Sequence, residues 1–121
     1  MFSTYHNEMV MTMDGNIYLL QYGSYISKEV MEESIKNLSY YLIQEVDDKY
    51  YVYLGATTDY LIAHRLQEYL ENNNLYTYIK NDYLYDSDIL DQIKEKEKKL
   101  EKDISPLVIK EILEILKSVH N

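Results

Sequence analysis

The chain has 121 residues, no cysteine and a formal net charge of −9, from 12 Lys and Arg against 21 Asp and Glu. This length suits one small domain with a single hydrophobic core. The lack of cysteine excludes disulfides and thiolate metal sites. The acidic charge disfavours a nucleic-acid partner, and no apolar run reaches the roughly 18 residues of a membrane span.

Tyrosine dominates the aromatic residues, with 15 Tyr against one Phe and no Trp. A tyrosine combines an apolar ring with a hydroxyl that needs a partner or water. Half-exposed rings of this kind suit a sheet surface that binds something polar. A codon bias towards A·T-rich residues explains the same composition, because Asn, Ile and Lys are also plentiful. Composition alone leaves both explanations open.

The N-terminal stretch, residues 1–15, lacks the basic start and the apolar core of a signal peptide. Residues 9–13 alternate Met with Val and Thr before Asp14-Gly15, which predicts a hairpin leading into the first strand. That hairpin must form outside the main sheet, because the topology predicted below occupies both edges of the first strand. We treat residues 1–15 as an N-terminal extension.

Residues 16–38 predict a strand followed by a helix. The segment NIYLLQY (16–22) is short, apolar and aromatic, as strands are, and Gly23 is expected to end it. Ser27 is a candidate N-cap, and apolar residues recur after it at helical spacing up to Leu38.

Residues 39–80 repeat this pattern after an added strand. SYYLIQEV (39–46) and YYVYLG (50–55) flank the polar segment DDK, which predicts an antiparallel hairpin with a three-residue turn. Gly55 is expected to turn the chain, and Thr58 or Asp59 to cap a second helix that NNN ends at residues 72–74. LYTYIK (75–80) then predicts a fourth strand.

A weak internal repeat supports this order of elements. When Gly23 is aligned with Gly55, each half has a strand, a glycine and a helix cap at the same offsets, so each half is one β-α-β unit. Two such units with right-handed crossovers give a ferredoxin-like, RNP-type βαββαβ fold of the α+β class. Its four-stranded antiparallel sheet carries both helices on one face and leaves the other face free.

Residues 83–121 predict two further helices, which we treat as a C-terminal extension. DILDQIKEKEKKLEKDI (88–104) is charged with apolar residues on one side, and Ser105-Pro106 is a good start for the last helix. The apolar stripe of LVIKEILEILKSVH (107–120) is too wide to stay in water. It must pack on the domain, on the preceding helix or on another chain.

The side chains that carry catalysis or bind metals form no recognisable pattern. The three histidines are far apart and have no metal-ligand spacing, and the three glycines make no phosphate-binding loop. No base and nucleophile stand in a known motif. We interpret the acidic pairs Glu32-Glu33 and Asp47-Asp48, and the run EKEKK (95–99), as solvated charge. The sequence therefore predicts a protein that is not an enzyme and holds no metal or cofactor.

The free sheet face is a better candidate for a binding site. Side chains alternate along a strand, so if Leu20 and Leu54 face the helices, then Gln21, Tyr51 and Tyr53 lie on the free face. Aromatic rings beside an amide are typical of carbohydrate-binding sites, because rings stack on sugars and amides form hydrogen bonds with the hydroxyl or N-acetyl groups of the sugar. A solvated sheet with no ligand is the alternative that residue types leave open.

The first half of the chain resembles a SPOR domain. The first strand of that family ends in a Gln-x-Gly-Ser-aromatic motif, and LLQYGSYISKEVMEESIKNL contains Gln21, Gly23, Ser24 and Tyr25 in that order. YYVYLGATTDYLIAHRLQEYL resembles the second half of the family, with an aromatic strand that ends in Gly before a helix. The resemblance covers residues 16–82, about half the chain, and sets the boundaries of the SPOR-like domain.

This resemblance implies binding to bacterial peptidoglycan. SPOR domains favour glycan strands without stem peptides, which accumulate at division septa and during sporulation. In the family, the Gln of the first strand and the Ser of the Gly-Ser pair contribute to the glycan site, which implies roles for Gln21 and Ser24. Positions on the third and fourth strands correspond to Tyr51 and Ile79. Tyr25 is expected to be a core ring that closes the turn.

The leading interpretation is thus a peptidoglycan-binding module in the extracytoplasmic cell envelope, anchored by an N-terminal segment that this chain does not include. Its partners would be glycan strands and envelope, division or sporulation proteins, with no nucleic acid. The alternative is a protein-interaction domain that assembles, for example as a homodimer, through its C-terminal helices. If the stripe of residues 107–119 crosses the free sheet face, it covers the glycan site; if it packs elsewhere, the site remains.

Overall fold

A computed structural model describes residues 15–120, without the side chain of His120. The hairpin predicted at residues 9–15 lies outside the described residues, except for Gly15. The elements in chain order are β1 (Asn16–Tyr25), α1 (Lys28–Ile35), β2 (Leu42–Val46), β3 (Lys49–Thr57), α2 (Tyr60–Glu71), β4 (Tyr78–Tyr83), α3 (Ser87–Leu100) and α4 (Pro106–His120). All strand pairs are antiparallel, in the order β2-β3-β1-β4. The predicted fold class, an α+β ferredoxin-like fold with two added C-terminal helices, is confirmed.

The first strand is longer than predicted, so the expected turn at Gly23 is wrong. Gly23, Ser24 and Tyr25 all belong to β1 and pair with β3, and neither Gly23 nor Gly55 has a positive φ. The register shifts at Gln21 and again before Gly23, as in a β-bulge. Gly23 also accommodates Tyr25, because a Cβ there would stand 2.7 Å from the Cζ atom of that ring.

Gly55 does not turn the chain either. It lies inside β3, which continues to Thr57, and a Cβ at Gly55 would stand 3.7 Å from Leu20 and Leu66. Leu66 belongs to α2, so this close approach identifies the face of the sheet on which α2 packs. We call it the helix-bearing face.

The hairpin between β2 and β3 has a two-residue turn, so the prediction of a three-residue turn is wrong. Val46 pairs directly with Lys49, and the two residues between them have positive φ, 51° at Asp47 and 65° at Asp48. Positive φ at both central residues defines the type I′ turn, which matches the twist of paired strands. Aspartate tolerates this conformation better than most residues with a Cβ, but glycine adopts it at lower cost.

We expect Asp48→Gly to raise the free energy of unfolding by about 1 kcal/mol, because it removes the Cβ from a left-handed residue. Asp48→Val should lower it, since a β-branched residue is strained at positive φ. Urea denaturation of the three proteins checks this order of stability. An equal or lower stability for Asp48→Gly would contradict the assignment of the turn.

The apolar stripe of α4 is buried within the chain. Its buried residues fall on two adjacent rows of the helix: Val108, Ile109, Ile112, Leu113 and Leu116. Helix α4 contacts β3 and β2, and its Ile109 and Leu113 line one apolar cavity with Leu54 of β3 and Leu70 of α2. Helix α4 therefore packs on β3 and β2, with its first half against the end of α2. Of the three locations predicted for the stripe, it packs on the domain and on α3.

Helix α3 connects this layer to the start of α2 through Glu97, which is only 5% exposed. The carboxylate accepts hydrogen bonds from the backbone N–H of Thr58 at 2.5 Å and from its hydroxyl at 2.8 Å. The interpretation of residues 95–99 as a solvated helix face is therefore wrong at Glu97. Its position fits the apolar spacing of the helix, four residues after Ile93 and three before Leu100, both of which are fully buried.

Candidate binding face

Strand pairing brings four of the predicted site residues to one face of the sheet. Gln21 pairs with Tyr53, and Ser24 pairs with Tyr51. Directly paired residues of antiparallel strands project their side chains to the same side. Gln21 also pairs with Tyr78 on the other side of β1. The bulge in β1 keeps Gln21 and Ser24 on one face although three positions separate them.

A hydrogen-bonded network crosses this face. The Nζ of Lys80 donates to the Oη of Tyr53 at 3.1 Å, and the Tyr53 hydroxyl donates to Oε1 of Gln44 at 3.0 Å. The same ammonium lies 4.5 Å from the centre of the Tyr51 ring and 5.6 Å from that of Tyr53. These distances are within the range of cation–π attraction. The network therefore links β2, β3 and β4 across the sheet.

We call this surface the tyrosine face. It consists of Gln21, Ser24, Gln44, Tyr51, Tyr53, Tyr78 and Lys80. It lies opposite the face on which α2 packs. Leu19 and Leu42 project to the same side as Lys80 and Tyr53, with which they pair, and both are only 3% exposed, so the chain itself covers part of this face. Of the sequence-predicted site residues on this face, Gln21, Ser24 and Tyr51 are partly buried or exposed and stay accessible, whereas Tyr53 is buried.

The members of the tyrosine face differ in exposure, and this decides what each can do. Tyr53 is 0% exposed, so its ring cannot stack on a ligand; its hydroxyl instead holds Lys80 and Gln44 in place. Tyr51 is partly buried, Ser24 is exposed, and Tyr78 is 67% exposed. Tyr51 and Tyr78 are therefore the aromatic rings that a ligand can reach.

Lys80 remains charged in this setting. Burial acts to lower the pKa of the ammonium, but the hydrogen bond to Tyr53 and the nearby Asp82 outweigh it, so the pKa of Lys80 lies above its usual 10.5. Burial raises the pKa of the Tyr53 phenol, although Lys80 opposes this shift. At neutral pH the pair is a phenol that accepts a hydrogen bond from an ammonium ion.

Ile79 does not belong to this site. It pairs with Leu20, which is fully buried, and packs against the core on the helix-bearing face. The neighbouring residue, Lys80, occupies the position on the tyrosine face that the sequence assigned to Ile79. The fourth strand therefore contributes Lys80 to this face instead of Ile79, so a cation stands where the sequence predicted an apolar side chain.

Sequence reasoning missed Gln44, Tyr78 and Lys80. A two-residue hairpin turn would have placed Gln44 opposite Tyr51, but the predicted three-residue turn shifted that register. Strand alternation in YIK would have grouped Tyr78 with Lys80 once either was placed. Lys80 places a basic residue among the aromatic residues of the sheet, but the acidic net charge still disfavours a nucleic-acid partner.

Within residues 15–120, no three His, Asp or Glu side chains stand close enough to hold a metal ion together. The described helices, from α1 to α4, include none that is both long and apolar enough to cross a membrane. The tyrosine face offers amide and hydroxyl groups, accessible rings and one ammonium, which together suit reversible binding of a polar ligand. When compared with models of protein families, with curated proteins and with solved structures, the chain matches none of them.

Proposed function

We propose that this protein is a non-catalytic module that binds peptidoglycan glycan strands on its tyrosine face. The observation that carries the proposal is the convergence of all four strands on one surface, where Gln21, Ser24, Tyr51 and Lys80 lie near the partly buried Tyr53–Gln44 hydrogen bond. A prearranged set of hydrogen-bonding groups with accessible rings loses little entropy when a sugar binds. The resemblance of residues 16–82 to SPOR domains supports the same ligand.

Each accessible side chain has a stated role in this proposal. Tyr51 and Tyr78 stack on sugar rings, while the Gln21 amide and the Ser24 hydroxyl bond to hydroxyl or N-acetyl groups. Tyr53 and Gln44 position Lys80 and do not touch the ligand. As a SPOR-like protein, the chain would act in the extracytoplasmic envelope during division or sporulation, anchored by a preceding segment.

The alternative, assembly through the C-terminal helices, has weaker support. The apolar stripe that motivated it is mostly buried within the chain, and only Leu107 and Val119 of its members are exposed. Two separated residues do not form the contiguous apolar patch that a homodimer requires. We therefore favour the glycan over a second copy of the chain as the partner.

Co-sedimentation with purified sacculi tests this function. We expect the protein to pellet with sacculi, and more of it after an amidase has removed the stem peptides. Gln21→Ala and Tyr51→Ala should reduce pelleting several-fold, because each removes a group that contacts the sugar in this proposal. Tyr76→Ala is the matched control, since Tyr76 is exposed but precedes β4 and lies outside the tyrosine face.

Pelleting that is absent with both kinds of sacculi would contradict the proposal. So would pelleting that Tyr76→Ala reduces as much as Tyr51→Ala, since the binding surface would then lie elsewhere. Circular dichroism of each variant confirms that a loss of pelleting does not come from unfolding.

A further inference from the structure

The most distinctive group on the tyrosine face is the ammonium of Lys80. The rings of Tyr51 and Tyr53 flank it, and the Tyr53 hydroxyl that accepts its hydrogen bond donates in turn to Gln44. A lysine on a surface usually moves freely on its four-carbon stem. Here the charge is held at one place on the sheet before any ligand arrives.

The ammonium has capacity for a further partner. It has three N–H donors, and the Tyr53 hydroxyl accepts one of them. Within residues 15–120, no carboxylate forms an ion pair with Lys80 at 4.0 Å or less. The remaining donors are therefore available to an acceptor that approaches the tyrosine face beside Tyr51.

The surroundings favour an anionic acceptor. Burial removes part of the hydration of Lys80, while the hydrogen bond to Tyr53 and the nearby Asp82 keep it protonated. A partly desolvated ammonium attracts a carboxylate more strongly than a neutral hydroxyl. The whole chain carries a net charge of −9, which repels anions, and Lys80 is the cation among the tyrosine-face residues that offsets this repulsion locally.

We propose that Lys80 pairs with the free lactyl carboxylate of a muramic acid residue, which makes it a specificity-determining residue. This inference rests on the proposed glycan function. In an intact strand the lactyl group is amide-linked to the stem peptide and carries no charge at that carbon. Hydrolysis of the amide exposes the carboxylate, so Lys80 supplies a physical reason for a preference for strands without peptide.

Two soluble oligosaccharides test this pairing by calorimetric titration. One alternates N-acetylglucosamine with N-acetylmuramic acid and keeps its carboxylates; the other is the same sugar with each carboxylate converted to a methyl amide. We expect the unmodified protein to bind the acid on the order of tenfold more tightly than the amide, as a charge-assisted hydrogen bond would give. Raising the salt concentration should narrow this difference.

Lys80→Met should remove most of the discrimination by weakening only the binding of the acid. The control is Lys94→Met, which replaces an exposed lysine on α3 and should leave the preference for the acid unchanged. Equal affinities of the unmodified protein for acid and amide would overturn the inference while leaving the glycan function intact. Discrimination that persists in a folded Lys80→Met variant would do the same. Failure to bind either sugar would overturn the glycan function, and the inference with it.

Discussion

Leu113→Ala is expected to lower the free energy of unfolding by about 2 to 5 kcal/mol, the range for large-to-small changes in a packed core. Leu113 is 1% exposed and stands where α4 meets α2 and β3. The change removes apolar contacts and enlarges the cavity that Leu113 lines with Leu54 and Leu70. The surrounding helices can fill that space only in part, because β3 fixes one of its walls.

Leu107→Ala on the same helix is the control for this prediction. Leu107 is 63% exposed, so its truncation should change stability by less than about 0.5 kcal/mol. Urea denaturation gives both values. If Leu113→Ala also had no effect, or if deletion of residues 105–121 left a cooperatively folded domain, the C-terminal helices would be a separable extension, as residues 83–121 were first interpreted.

Glu97→Ala is expected to destabilise the fold by about 2 to 3 kcal/mol, because it removes the acceptor of two hydrogen bonds at a buried position. The N–H and the hydroxyl of Thr58 would lose their partner where β3 leads into α2. Glu95→Ala, on the exposed side of the same helix, should cost less than about 0.5 kcal/mol. Equal effects of the two changes in urea denaturation would contradict a structural role for the buried carboxylate.

Glu97→Gln separates the charge of this residue from its shape. Burial raises the pKa of Glu97 above its usual 4.5, although the hydrogen bonds from Thr58 oppose the shift. The native state therefore keeps its proton to a higher pH than the unfolded state does. The free energy of unfolding of the original protein, relative to that of Glu97→Gln, is therefore greatest below about pH 4.5. It falls as the pH rises through the raised native pKa of Glu97.

Stability measured from pH 4 to pH 7 checks this dependence. Other carboxyl groups contribute nearly equally to both proteins, so the difference between the original protein and Glu97→Gln isolates Glu97. Glu95→Gln should show no such trend, because Glu95 is exposed. A difference that rises with pH would mean that the carboxylate is better stabilised in the native state than in water, contrary to the effect of its burial.

The order of strands and helices was predictable from the sequence, because the spacing of apolar residues and the capping residues indicate the same elements. Ser27 and Asp59 both cap helices as predicted, each by accepting backbone N–H bonds. Gly23 and Gly55 misled the strand boundaries, since a glycine often ends a strand. Here residues before and after each glycine pair between β1 and β3, and this pairing extends both strands past the glycines.

Part of the site was predictable from the sequence. The missed residues are those whose position depends on the register between strands. Gln21, Ser24, Tyr51 and Tyr53 were placed together by alternation and by the family resemblance, and strand pairing brings them to one face. Lys80 was missed because a position on the last strand depends on how β4 aligns with β1, which local sequence does not encode. The full burial of Tyr53 depends on packing and has no signature in the residue pattern.

The location of Glu97 had a weaker signal. Its neighbours in EKEKK are charged and exposed, so composition favoured a solvated face. Only its spacing from Ile93 and Leu100 indicated the buried side of the helix. Which partner would satisfy a carboxylate there depends on the approach of α3 to Thr58, a contact between residues 39 positions apart.

The most direct test of the tyrosine face as the binding surface uses the side-chain amides of the four glutamines in a nitrogen-15 NMR titration with peptide-free glycan oligomers. Gln21 and Gln44 lie on the tyrosine face. The other two lie outside it: Gln67 belongs to α2 and donates a hydrogen bond to the carbonyl of Thr77, and Gln92 is exposed on α3. We predict that the signals of Gln21 and Gln44 shift with saturation while those of Gln67 and Gln92 stay unchanged. Shifts confined to Gln67 or Gln92, or no shift of any of the four, would contradict glycan binding on this face.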